Sequence, residues 1–86
     1  MTPEEFLITF VNWFNSTIAD SDVSPLSKDE AYVVWFNYTL GNSKVLISTT
    51  RPDHKYYELT YHSDKDCVYI DTYLKVRHDT EKVTKA

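Results

Sequence analysis

The residues that could carry chemistry are few. Histidines stand at His54, His62 and His78, and the one cysteine is Cys67. His62 shares a short polar stretch with Asp64 and Asp66, and Asp71 follows close behind. Clustered carboxylate oxygens are what hard cations select, but a calcium loop also needs a glycine at its sharp turn and a bidentate glutamate at its end. This stretch has neither, and Lys65 sits in its middle. A solvated hairpin loop accounts for the same residues. No His-x3-His or Glu-x-x-His spacing offers a transition-metal site. Cys67 and His62 have the residue types of a thiolate–imidazole pair. Neither a helix start nor a basic cluster stands nearby in the sequence to favour the thiolate, so an inert free cysteine is expected. With Gly41 the only glycine, phosphate-cradling loops of the Walker or dinucleotide type are ruled out, because each needs several. No nucleophile elbow is present. The chain therefore reads as a non-enzyme, with no catalytic residue, metal or cofactor expected.

The elements that would position any other site can be read from pattern. Thr2-Pro3-Glu4-Glu5 is a helix start: a hydroxyl cap, a proline where no N–H is needed, and a glutamate three residues on to close a capping box. Leu7, Phe10, Val11, Phe14 and Ile18 recur at three- and four-residue spacing, which predicts an amphipathic helix over about 3–19. Phe6 and Trp13 widen its apolar stripe, with one of them expected to be partly exposed. Residues 20–28 are rich in turn formers, and Pro25 blocks continuation of the helix, so they read as a linker. Residues 31–40 are ambiguous. Ser27-x-x-Glu30 resembles a second capping box and Gly41 would suit a helix end, but the run Tyr32 to Thr39 is dominated by β-branched and aromatic residues, and strand is the preferred reading. Strands follow at 44–50, 56–62 and 67–77, separated by turn-forming stretches. The expectation is an α+β fold: an N-terminal amphipathic helix on one face of a four-stranded antiparallel β-meander. The alternative is two helices on a three-stranded sheet. Residues 1–86 are read as one domain, with 79–86 a polar tail.

A register can be proposed from the loops and tested by side-chain alternation. Pairing His62 with Cys67, Thr50 with Tyr56, and Gly41 with Lys44 gathers Val34, Phe36, Tyr38, Leu40, Val45, Ile47, Leu59, Val68 and Ile70 on one face. That face is the expected seat of the helix. The opposite face then holds Val33, Trp35, Leu46, Tyr56, Glu58, Tyr69, Asp71, Tyr73 and Lys75, with Trp35, Thr50, Tyr56 and Tyr73 in one row across the four strands. Tyr and Trp give large, stiff contact area with a polar tip and are enriched at binding hot spots. Trp35, Tyr56, Tyr69 and Tyr73 are therefore the candidate partner-binding residues. The competing readings are cross-strand aromatic pairs that merely stabilise the sheet, or a face covered by the linker or tail.

Composition narrows the partner. The chain has 86 residues and a net charge of −4, whereas a nucleic-acid binder normally shows a basic stripe. Only Lys75 among the basic residues falls on the aromatic face, so nucleic acid is not the expected ligand. No apolar run is long enough to span a membrane, no signal peptide is visible, and one cysteine makes no intrachain disulfide. The expected setting is cytoplasmic, or host cytoplasm if the protein is viral. The small size and the Tyr and Asn content are typical of accessory proteins from AT-rich genomes, including phages. The leading expectation is a non-catalytic protein-binding module, an inhibitor or modulator of a larger host protein. Two alternatives stand beside it: an acidic decoy that imitates nucleic acid, and a structural protein acting as a homodimer.

Overall fold

The computed structural model describes residues 1–85. It is an α+β fold with one helix, α1 (Pro3–Thr17), and four strands, β1 (Ala31–Thr39), β2 (Asn42–Thr49), β3 (Lys55–His62) and β4 (Cys67–Leu74). The strands form one antiparallel sheet in the order β1-β2-β3-β4, so β1 and β4 are its edges. The expected meander is present, and residues 31–39 are strand rather than helix. The Ser27–Glu30 capping box is real, but it closes a single 3-10 turn at Lys28–Glu30 that leads straight into β1.

The helix begins as its sequence dictates. The Thr2 hydroxyl accepts from the Glu5 N–H at 3.1 Å, and the Glu5 carboxylate accepts from the Thr2 N–H at 2.8 Å. The bond from the Thr2 backbone is the main reason that the Glu5 carboxyl titrates below its ordinary range. Phe6, Phe10 and Phe14 lie four residues apart, on one face of the helix, and are buried against Val45 and Ile47 of β2 and Tyr57 and Leu59 of β3. Phe6 is therefore central to the core, while Trp13 is half-buried and Ile18, expected in the apolar stripe, is exposed.

The connection from α1 to β1 is not a loose linker. Leu26 enters the core, only 3% exposed. Asn15 holds it from the helix: its side-chain amide donates to the Leu26 carbonyl at 3.0 Å, and its carbonyl accepts from the Leu26 N–H at 2.7 Å. Arg51, in the β2–β3 loop, donates to the carbonyls of Ser24 and Pro25 at 2.7 and 2.8 Å and to Glu30 at 3.1 Å. Sequence pattern had marked neither Leu26 nor Arg51.

The β1–β2 turn carries local strain. Leu40 and Gly41 have φ of 52° and 81°, the positive values that a type I′ hairpin turn requires at both central positions. Glycine adopts them freely, but a leucine there meets its own carbonyl. Leu40 is also 94% exposed, so no burial offsets the strain. Leu40→Asn, which gives the Asn-Gly pair such turns prefer, is expected to stabilise the fold by about 1 kcal/mol. In thermal denaturation that is a rise in Tm of about 4–8 °C. An unchanged Tm would mean the turn is relaxed with leucine in place.

Candidate functional site

The sheet has one covered and one open face. The helix lies on the face that carries Val45, Ile47, Tyr57 and Leu59, and the molecule is only 20 Å through its thinnest dimension, one helix on one sheet. The opposite face has no layer over it. Its aromatic residues remain substantially exposed: Tyr32 at 49%, Trp35 at 39%, Tyr56 at 36%, Tyr69 at 43% and Tyr73 at 41%.

The register explains how these side chains meet. His62 faces Cys67, as expected, and Tyr56 faces Tyr73. The two earlier hairpins are shifted by an even number of residues from the expected pairing. Tyr56 stands opposite Ser48 rather than Thr50, and Trp35 opposite Leu46 rather than Thr50. Even shifts keep each side chain on its expected face, so Trp35, Tyr56, Tyr69 and Tyr73 all share the open face. They do not form one row. Trp35 aligns with Leu46, Glu58 and Asp71, while Ser48, Tyr56 and Tyr73 form the neighbouring row.

The end of that second row is Tyr32, a residue the sequence reading had not placed there. The pairing of β1 with β2 skips from Val33–Ile47 to Trp35–Leu46, which leaves Val34 as a β-bulge. An extra residue reverses the alternation before it. Val33 therefore turns inward to pack on the core, correcting its expected place on the open face. Val34, expected inside, is 52% exposed, and Tyr32 joins the open face opposite Ser48.

The tyrosines are not equally free. Tyr56 and Tyr73 stack across β3 and β4, with ring centroids 5.3 Å apart and planes within 14°. Tyr69 packs edge-on against His62 at 4.9 Å, and the Lys65 ammonium donates to its hydroxyl at 3.3 Å. Two shallow grooves include residues of β1. One, of about 350 Å³, runs between Tyr32, Val34, Leu46 and Tyr56. The other, of about 410 Å³, lies between Trp35, Asn37, Leu40 and Thr60.

Charge on this face is unevenly matched. Glu58 and Asp71 stand opposite each other across β3 and β4, an arrangement that is unfavourable for like charges. Lys44 pairs with Glu58 at 3.2 Å, while Asp71 makes no ion pair among the described residues. Among the described residues, no group of three or more His, Cys, Asp or Glu side chains stands close enough together to hold a metal ion. Nor is any helix long and apolar enough to cross a membrane.

The chain belongs to DUF6275, a family of unknown function that matches residues 5–83, from the helix through all four strands. No curated protein and no solved structure matches it.

Proposed function

We propose that the protein is a non-catalytic binding module that occupies the surface of a larger protein through the open face of its sheet. The observation that carries this reading is the set of five aromatic side chains, Tyr32, Trp35, Tyr56, Tyr69 and Tyr73, each more than a third exposed on a face with no layer over it. Solvated sheet faces are usually polar, and contiguous exposed aromatic surface is a mark of interaction sites. Asp71 lies beside the stacked Tyr56–Tyr73 pair, opposite Glu58. That combination suits an arginine or lysine of the partner, held by the Asp71 carboxylate and by the outer ring faces. Such a module would act as an inhibitor or modulator by blocking the surface it covers, and a phage or mobile-element origin in a host cytoplasm fits that role.

The decoy reading has less support. The carboxylates are scattered over the helix start, the α1–β1 connection, the β2–β3 and β3–β4 loops, the strands β3 and β4 and the residues after β4, and Glu4, Glu30, Glu58 and Asp79 are each taken up by a basic side chain.

The test is affinity capture from nuclease-treated host lysate with the wild type beside a Trp35/Tyr56/Tyr73→Ser variant whose circular dichroism shows it folded. Loss of a wild-type partner by the variant, at least 100-fold in affinity once that partner is purified, is expected. Asp71→Lys is a second, milder variant on an exposed side chain, expected to weaken the same complex about tenfold. A partner held equally by all three proteins would make the aromatic face structural. A complex that dissolves steeply with salt while tolerating the serine variant would favour the decoy instead.

A further inference from the structure

Exposed apolar side chains are concentrated on one strand as well as one face. From Val34 to Leu40 every residue of the β1 edge and its turn is exposed. Tyr32 and Trp35 project to the open face, but Phe36 and Tyr38, which pair with Val45 and Ser43, lie on the helix-bearing side and are still 37% and 64% exposed. A partner on the open face alone would leave Phe36 and Tyr38 in water. A strand added to the β1 edge would cover both sets, since its side chains alternate between the two faces.

The edge is also unguarded. Natural edge strands are blunted with lysine, proline or inward charges, because their outward N–H and C=O groups template further pairing. Residues 31–43 contain no charged side chain and no proline, whereas the other edge, β4, carries Asp71. The Val34 bulge is the only protective device on β1.

We propose that β1 pairs with β1 of a second copy of this chain, antiparallel about a two-fold axis normal to the sheet, joining two four-stranded sheets into one. The inference does not depend on the proposed function. With the axis at Asn37, Phe36 of each copy stands opposite Tyr38 of the other, a favourable aromatic cross-strand pair made twice. Trp35 then faces Thr39, and the exposed Val34 and Leu40 meet at the ends of the ladder. An uncharged strand brings no like charges together when it meets itself, although each chain carries −4 overall. Covered rings bury about 150–250 Å² each, so the exposed parts of Trp35, Phe36 and Tyr38 amount to at most roughly 400–700 Å² over two copies. Backbone, Val34 and Leu40 raise this toward the about 1,200 Å² at which specific interfaces begin. Dimerisation at about micromolar concentration is the expectation for so small an interface.

The experiment is sedimentation of the full chain from about 1 to about 500 μM, with hydrogen exchange at both ends of the range. A shift from monomer to dimer is expected, with β1 amides slowing at least tenfold in the dimer. Asn37 is exposed and its side chain bonds only to Thr39, but it faces Lys44 of β2, so circular dichroism must first show Asn37→Lys folded. It would place two ammonium groups opposite each other and hold the chain monomeric throughout. Asn37→Asp should do the same, and mixing the two variants should restore a dimer. A wild type that stays monomeric at every concentration overturns the proposal. So does a dimer that Asn37→Lys leaves intact with β1 amides unprotected, because that dimer would use another surface.

Discussion

Phe10→Ala is expected to remove a large share of the stability of this fold. Phe10 is 0% exposed and lies at the junction of helix and sheet, its ring 4.7 Å from Tyr57 of β3, 6.0 Å from Trp13 and 6.2 Å from Phe14. Truncating a buried phenylalanine costs about 3–5 kcal/mol, part lost transfer energy and part the cavity left behind. A chain of this length has about 4–13 kcal/mol in total, and its core consists of three helix phenylalanines, Leu26 and five strand residues. No second layer exists to collapse into the gap. Urea unfolding followed by circular dichroism should show the midpoint fall by about a quarter or more, or no folded baseline at all. Phe10→Leu, which keeps most of the volume, should lose clearly less. A loss below about 1 kcal/mol for the alanine variant would mean that the helix is not held by its aromatic face.

The parts of this architecture that were legible beforehand are those that repeat. The Thr2–Glu5 capping box and the apolar spacing of α1 specify the helix locally, and the same bonds are present in the structure. Alternation in β2 and β3 specifies which side chains face the core, and it survives an error in pairing as long as the error is even. That is why Trp35, Tyr56, Tyr69 and Tyr73 were placed on the correct face while their row was not. A bulge is invisible to the same logic. Val33 and Val34 are alike in shape and hydrophobicity, and either could have turned inward; only the pairing with Ile47 and Leu46 decides it. Tyr32 moved to the open face as a consequence. Exposure on the helix side was equally hidden. Phe36 and Tyr38 stand on the face that bears the core, but a single helix of 15 residues does not cover the whole width of the sheet. Arg51 had no pattern to betray it, since a guanidinium that reaches back to Ser24 and Pro25 is a tertiary event with no periodicity.

Arg51 should prove the most sensitive polar residue in the chain. Its guanidinium closes the α1–β1 connection against the β2–β3 loop by donating to two backbone carbonyls and to Glu30, and it lies 5.5 Å from the centre of the Phe14 ring. A planar fork satisfies this set at once, whereas a lysine ammonium is a single point. Arg51→Ala would leave the Ser24 and Pro25 carbonyls without their protein donor and release the segment that seats Leu26. Hydrogen bonds to charged groups contribute about 1.5–3 kcal/mol, and after discounting for solvent near the rim the loss should be about 2 kcal/mol. That is a fall in Tm of about 8–16 °C, with Arg51→Lys recovering only part. The pH dependence separates this clasp from simple packing. The hydrogen bond from Arg51, followed by that from the Ser27 backbone, holds the Glu30 carboxyl below its ordinary 4.5. A carboxyl lowered in the folded state adds stability that is fully present above the unfolded value and is lost as the pH falls through the folded one. Wild-type Tm should therefore decline on acidification from about pH 4.5 downward. Glu5, lowered by its bond with Thr2, declines in the same window. Arg51→Ala should lower Tm at neutral pH and partly flatten the acid limb, because Glu30 then titrates closer to its ordinary value, with the Ser27 share of its shift and the Glu5 part remaining. A Tm lowered equally at every pH would show that Arg51 acts through the Ser24 and Pro25 carbonyls and the Phe14 ring and not by holding Glu30.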